Sequence, residues 1–234
     1  MSEMMVLLMS AASLGIIHTL LGPDHYLPFI VLSKARKWTR TRTLWITFIS
    51  GVGHVAGSVI LGMIGIAMGI SLSKLEAFEA SRGSLVGWML IAFGLLYTAY
   101  GIYKYAKRGA HMHLPAFLRP KSIRHADLHL DVKEIEEDST GRLTPWILFL
   151  IFVFGPCEVL IPMLIYPAAN HSGMGVFLVA LVFGIATVGT MMLVVFLGYQ
   201  GLSMVRFKGR EYQLHLFAGL VILLAGAGMQ FMGL

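Results

Sequence analysis

Cysteine occurs once in this chain of 234 residues, at Cys157. No intramolecular disulfide can form, so a disulfide-stapled secreted domain is excluded. A dithiol relay within one chain is excluded for the same reason, because it needs two thiols in exchange geometry. Charge is scarce as well. Asp, Glu, Lys and Arg make up 13% of the residues, against about 25% in ordinary soluble domains. So small a supply cannot coat a water-facing surface, and its clustering leaves long apolar runs. With 57% hydrophobic residues, the chain reads as an all-α, polytopic membrane protein. Its net charge of +6 would suggest nucleic acid in a soluble protein. In a membrane protein it reflects basic cytoplasmic loops, and no nucleic-acid partner is expected. The start, Met1-Ser2-Glu3, has no basic stretch ahead of the first apolar run, so no cleavable signal peptide is expected.

Six stretches meet the length of about 20 apolar residues that a bilayer requires. They are 4–33 and 144–168, both interrupted, with 43–70, 84–103, 173–199 and 213–233. Basic residues separate them unevenly. Loop 34–42 carries Lys34, Arg36, Lys37, Arg40 and Arg42. Loop 104–143 carries Lys104, Lys107, Arg108, Arg119, Lys121, Arg124, Lys133 and Arg142. Loop 200–212 carries Arg206, Lys208 and Arg210, and only Lys74 and Arg82, in loop 71–83, fall elsewhere. Six spans put the three basic loops on one side. The positive-inside rule makes that side cytoplasmic, which predicts an inner or plasma membrane protein with both termini outside. Segment 106–142 holds an acidic stretch from Glu134 to Asp138 and is punctuated by Pro115, Pro120 and Gly141. It reads as a solvated linker with at most one short helix. Trp38, Trp45, Trp146 and Tyr212 lie near span ends and are expected in the anchoring belt.

The two interrupted spans match each other. The first contains Gly22-Pro23-Asp24-His25 and the fourth Gly155-Pro156-Cys157-Glu158, 133 residues further on. The same offset maps His54 onto Thr187 and Gly57 onto Thr190. Glycines at 87, 94 and 101 match those at 219, 226 and 233. The halves 1–105 and 143–234 therefore read as three-helix repeats. An odd span number inverts the second half, the plan of many secondary transporters. Proline in mid-membrane removes a backbone donor and breaks the helix. The freed groups are tolerated only inside protein or beside a hydrated cavity. A lone proline reads most simply as a packing kink. Two breaks at matching positions, each followed by ionisable residues, point to a central site.

Of the twelve acids, only Asp24 and Glu158 fall inside these spans. An intramembrane carboxylate costs at least about 2.5 kcal/mol to insert, and is a functional-site hypothesis by default. His18, His25, His54 and Cys157 accompany them. Imidazole, carboxylate and thiolate together suit a borderline divalent metal such as Ni²⁺, Co²⁺ or Zn²⁺, and suit Mg²⁺ or Ca²⁺ poorly. The expected ligands are His18, Asp24, His25 and His54 from the first half, with Cys157 and Glu158 from the second. Thr187 and Thr190 are candidates to add hydroxyls along the pathway. His54 alone also fits a hydrogen-bonded core histidine, and Cys157 alone an inert buried thiol. His111, His113, His125 and His129 fall in the long loop, as a weak metal antenna or as ordinary loop residues.

His18-Thr-Leu-Leu-Gly-Pro-Asp24-His25, followed by Gly51-Val-Gly53-His54, resembles the nickel/cobalt permease group. The likeness is to its small urease-accessory-type members of the lysine-exporter-like superfamily. It implies a divalent-metal transporter with nickel or cobalt as substrate, zinc as an alternative, no enzymatic activity and no permanently bound cofactor. The larger nickel permeases differ in carrying His-x4-Asp-His. The fold is also similar to thiol-relay carriers of cytochrome c biogenesis, whose broken helices each carry Pro-Cys. Here Pro156-Cys157 matches that pattern and Pro23-Asp24 does not. Two further readings stay open. One is a redox or assembly protein using Cys157 with an external thiol, and the other an anion or small-solute exporter on the same scaffold. Expected partners are the bilayer and the metal ion, with a second copy or a metal chaperone as further candidates.

Overall fold

Every regular element is helical in the computed structural model, which describes residues 3–109, 132–170, 172–204 and 211–232. The first apolar run makes α1 (Glu3–Leu21), a short 3-10 turn over Pro23–His25, and α2 (Leu27–Ala35). Pro23 cannot continue α1, so the chain turns there and restarts at Leu27 with Pro28 in the first turn, where no donor is needed. Next comes α3 (Arg40–Ala67), capped by the Thr39 side chain, which accepts from the Arg42 amide at 3.3 Å. It is followed by α4 (Leu72–Gly109) and α5 (Val132–Val153). Gly155-Pro156 then interrupts the chain before α6 (Leu160–Ala169), and α7 (Gly173–Met204) and α8 (Glu211–Met232) complete it. Both interruptions expected from the Gly-Pro pairs are present.

Among the described residues, five helices are long and apolar enough to cross a bilayer: α1, α3, α7 and most of α4 and α8. The apolar parts of α5 and α6, Leu143–Val153 and Leu160–Ala169, are shorter and lie either side of the second break. Outward-facing Ile60, Leu96, Ile185 and Leu224 stay more than half exposed. Apolar cover of this kind on many helices fits lipid rather than water as the surrounding solvent, and hence a multi-pass membrane protein.

The packing pairs α4 with α8, α1 with α7 and α3 with α5. Two apolar clusters fill the interior. Phe29, Leu32, Leu90, Leu148, Phe152 and Ile222 belong to the first, and Ala11, Leu160, Leu164, Val179 and Phe183 to the second. The ends of the bundle differ. At one, the Arg36 guanidinium lies 5.2 Å from the Tyr97 ring centre and 5.6 Å from that of Tyr100. Tyr97 Oη is 2.9 Å from His215 Nδ1, and Tyr199 donates to the Trp38 carbonyl at 3.2 Å. This is the end where the basic loops attach. At the other end Tyr166 donates to Glu3, and Gln230 hydrogen-bonds Ser84.

Three expectations need correction. Segment 71–83 is not a loop, because α4 begins at Leu72 and places Glu79 and Arg82 within a candidate span. Glu79 is fully buried, and it joins Glu3 and Glu76 in the candidate spans, whereas Asp24 lies in the 3-10 turn and Glu158 in the second break. The buried carboxylate is tolerated because Arg82 lies one turn away and neutralises it. Trp38 is buried in the first cluster instead of standing in an interfacial belt, whereas Trp45 and Trp146 are exposed as expected. The Tyr212 side chain lies outside the described residues. The acidic stretch from Glu134 belongs to α5, which runs from Val132 straight into its apolar part. His111, His113, His125, His129 and His171 lie outside the described residues.

Candidate metal centre

Three elements deliver three histidines to one point. His18 ends α1, His25 closes the 3-10 turn, and His54 sits midway along α3. In an unbroken helix, residues seven apart are separated by about 10 Å along the axis. The break folds His25 back, so its ring centre lies 4.8 Å from that of His18 and 5.1 Å from that of His54. One nitrogen from each imidazole falls within 4.8 Å of the others.

Hydrogen bonds fix the chemistry of two of these rings. His54 Nδ1 lies 3.2 Å from the Phe152 carbonyl, in the last turn of α5. A carbonyl only accepts, so Nδ1 carries the proton and Nε2 keeps a lone pair. His25 Nδ1 faces the Gly22 carbonyl at 3.1 Å and Asp24 Oδ1 at 3.2 Å, both acceptors, so Nδ1 carries a proton there too. His25 and His54 are buried, and neither Nε2 has a hydrogen-bond partner. An unmet buried acceptor costs about 1–3 kcal/mol. Imidazoles held at one nitrogen by a carbonyl or carboxylate, with the other lone pair bare, have the arrangement of metal-ligating histidines. His215 shows the contrast: it is equally buried, but Nδ1 meets Tyr97 and Nε2 lies 3.4 Å from Lys104 Nζ.

Both break glycines are required by these rings. A Cβ on Gly22 would lie 2.5 Å from His25 Nδ1, and one on Gly155 would lie 2.9 Å from His54 Nδ1. On α3, a Cβ at Gly53 would come within 2.7 Å of Val153, and one at Gly57 within 2.8 Å of the Val153 carbonyl. The glycines around His54 thus bring α3 against α5, where Phe152 orients the ring.

The remaining expected ligands occupy distinct places. Cys157 is fully buried with Sγ 3.9 Å from His18 Nε2. Asp24 engages His25 Nδ1 through Oδ1 and so helps fix that ring. Glu158 is exposed, on the wall of a cleft of about 530 Å³ that His18, Asp24 and His25 also line. A second space of about 20 Å³ lies between Asp24, His25, His54, Phe152 and Pro156, large enough for one water-sized species. Thr187 is buried at the crossing of α7 with α1, close against Gly15, and Thr190 is half-buried. Neither lines these two cavities.

Sequence reasoning missed Glu79 and Arg82. Glu79 Oε2 accepts from the Cys157 amide at 2.9 Å, and Arg82 Nη2 donates to the carbonyls of Val153 and Gly155 at 3.3 and 3.2 Å. The signal was the Glu-x-x-Arg spacing in an apolar context, which pairs the two charges on one helix face. No protein-family model, curated protein or solved structure matches the chain.

Proposed function

We propose that the protein transports a divalent transition-metal ion across the membrane, with His18, His25 and His54 as the core of the transport site. The observation that carries this reading is the pair of buried histidines whose Nδ1 atoms are engaged and whose Nε2 atoms are bare. Nitrogen donors with a neighbouring thiol favour Ni²⁺, Co²⁺ or Zn²⁺ over Mg²⁺ or Ca²⁺. Nickel or cobalt accords with the resemblance to the nickel/cobalt permeases. Asp24 and Glu158 place negative charge along the cleft, which attracts a cation and repels an anion, so an anion exporter is disfavoured. Relay to an external thiol is disfavoured by the complete burial of Cys157.

The proposed architecture is six spans in two inverted three-helix repeats, the fourth span being α5 and α6 in series. The pairing of α1 with α7 and of α3 with α5 supports it, since each joins a broken span to the second helix of the other half. Alternating access then rocks one half against the other around the histidines. The cleft takes walls from Gly83, Ser84, Met229 and Gln230, at the end away from the basic loops. By the positive-inside rule that end is extracellular or periplasmic, and both termini lie there. In a Cys157→Ser background, Glu158→Cys is expected to react with a membrane-impermeant maleimide from that side, and Leu90→Cys with none. Labelling of Glu158→Cys only from the basic-loop side would overturn this orientation.

Flux is the direct test. Proteoliposomes carrying the wild-type protein are expected to move radioactive Ni²⁺, Co²⁺ or Zn²⁺. His54→Ala is expected to reduce that flux to the protein-free background, and Asp24→Asn to lower it at least about 10-fold by releasing a support of His25. Wild-type rates in both variants would remove the site from the transport path.

A further inference from the structure

The two breaks are capped by different means. A broken helix leaves carbonyls at its first end and amides at its second without partners. At the first break the cap is local, because the His25 amide and His25 Nδ1 both meet the Gly22 carbonyl and Tyr26 Oη donates to the Leu20 carbonyl. At the second break the cap comes from another helix. Arg82 donates to the carbonyls of Val153 and Gly155, and Glu79 accepts from the Cys157 amide, all from α4. Glu79 also pairs with Arg82 and lies 3.5 Å from Ser58 Oγ of α3. The carboxylate is fully buried and touches neither cavity wall. It accepts from the backbone of Cys157, whose sulfur lies 3.9 Å from His18 Nε2.

We infer that Glu79 and Arg82 are positioning residues that hold the second break in the shape presenting Cys157 Sγ to His18, which adds a thiolate to the three imidazoles and sharpens selection for thiophilic divalent cations. This rests on the reading that the histidine cluster binds such a cation. Ligation replaces the Cys157 S–H proton by the metal, and the proton leaves to solvent, so binding through sulfur releases one proton more than binding through nitrogen alone. Without Glu79 the Cys157 amide loses its partner and the segment 154–159 relaxes. The sulfur then moves away while His18, His25 and His54, on other elements, stay. Loss of such a supporting partner typically costs 10–100-fold in metal affinity.

Cobalt separates the two contributions by colour. Imidazole ligation gives visible d–d bands, and thiolate ligation adds a near-ultraviolet sulfur-to-cobalt charge-transfer band. Full-length wild-type protein in detergent, titrated with Co²⁺ alone, is expected to show both. Cys157→Ser and Glu79→Leu, which leaves the Cys157 amide no side-chain acceptor, are each expected to lose the charge-transfer band, keep the d–d bands, and bind Co²⁺ about 10–100-fold more weakly. Glu79→Leu leaves the part-buried Arg82 without its counter-charge, which can unfold a protein. The double variant Glu79→Leu with Arg82→Met removes both charges and the acceptor of the Cys157 amide, and is expected to fold and show the same spectral loss. An undiminished charge-transfer band in either Glu79 variant overturns the inference. So does a wild-type spectrum with d–d bands and no charge-transfer band, which leaves cation binding by the histidines intact. A wild-type protein that binds no Co²⁺ fails at the earlier step, the proposed function itself.

Discussion

Replacing His25 by alanine is expected to abolish specific binding of Co²⁺, Ni²⁺ and Zn²⁺ to the purified protein, read by isothermal titration in detergent. His25 is the hinge of the site. It stands between His18 and His54, at ring separations of 4.8 and 5.1 Å, while the other two are 6.4 Å apart. Its removal deletes one donor and separates the remaining two. It also frees Asp24, whose Oδ1 is otherwise engaged by His25 Nδ1. Removing a supporting partner of a ligand costs about 10–100-fold in affinity, so loss of a ligand itself is expected to exceed 100-fold. His215→Ala is the matched control. His215 is as buried as His25, but both of its nitrogens face polar partners, Tyr97 and Lys104, at the opposite end of the bundle. Metal affinity is expected to be unchanged in that variant. Equal affinity in wild type and His25→Ala would show that the cluster is a packing feature and not a metal site.

Gly94→Leu is expected to prevent folding, and Gly94→Ala to lower the thermal midpoint by about 2–12 °C. The reason is the approach of α4 to α8, the most extensive helix pair in the fold. A Cβ on Gly94 would lie 2.5 Å from the Leu223 amide nitrogen, and one on Gly101 2.7 Å from that of Leu216. From the other side, a Cβ on Gly219 would lie 2.5 Å from the Thr98 nitrogen, and one on Gly226 2.8 Å from that of Ile91. These contacts are with backbone, so no rotamer change relieves them, and the helices must separate. In lipid the pair is held by close packing more than by hydrophobic burial, so separation removes what holds it. Overpacking of this kind costs about 1–3 kcal/mol, at about 2–4 °C per kcal/mol in a chain of this size. Gly189→Ala supplies the opposite sign. A Cβ there meets nothing within 4 Å, so the better helix propensity of alanine is expected to leave the midpoint unchanged or raise it. Differential scanning fluorimetry in detergent reads all three. A midpoint for Gly94→Ala at or above wild type would contradict the packing.

The glycine series also shows where sequence reading stops. The spacing of 87, 94 and 101 against 219, 226 and 233 marks a repeat, and heptad-spaced glycines permit close helix contact within one chain or between two. The structure joins α4 to α8 within one chain. The plausible assignment of 71–83 to a loop failed because two charges within four residues look soluble. Glu79 and Arg82 neutralise each other and cap a break nearly eighty residues away. Thr187 and Thr190, aligned with His54 and Gly57 by an offset alone, line neither cavity beside the histidines.

What the sequence determined by itself is the solvent and the places where the helices break. Thirteen per cent charge in long apolar runs leaves few options but lipid, because a hydrocarbon core accepts only backbone that satisfies itself. Gly22-Pro23 and Gly155-Pro156 interrupt helices wherever they fall, because proline lacks a donor and clashes with the preceding turn. What only the tertiary structure decided is which polar groups meet. His18, His25 and His54 converge because a 3-10 turn folds one ring back and α5 orients another through the Phe152 carbonyl. Those contacts depend on distances between elements remote in sequence, and a one-dimensional pattern carries the residue types of such a site without their geometry.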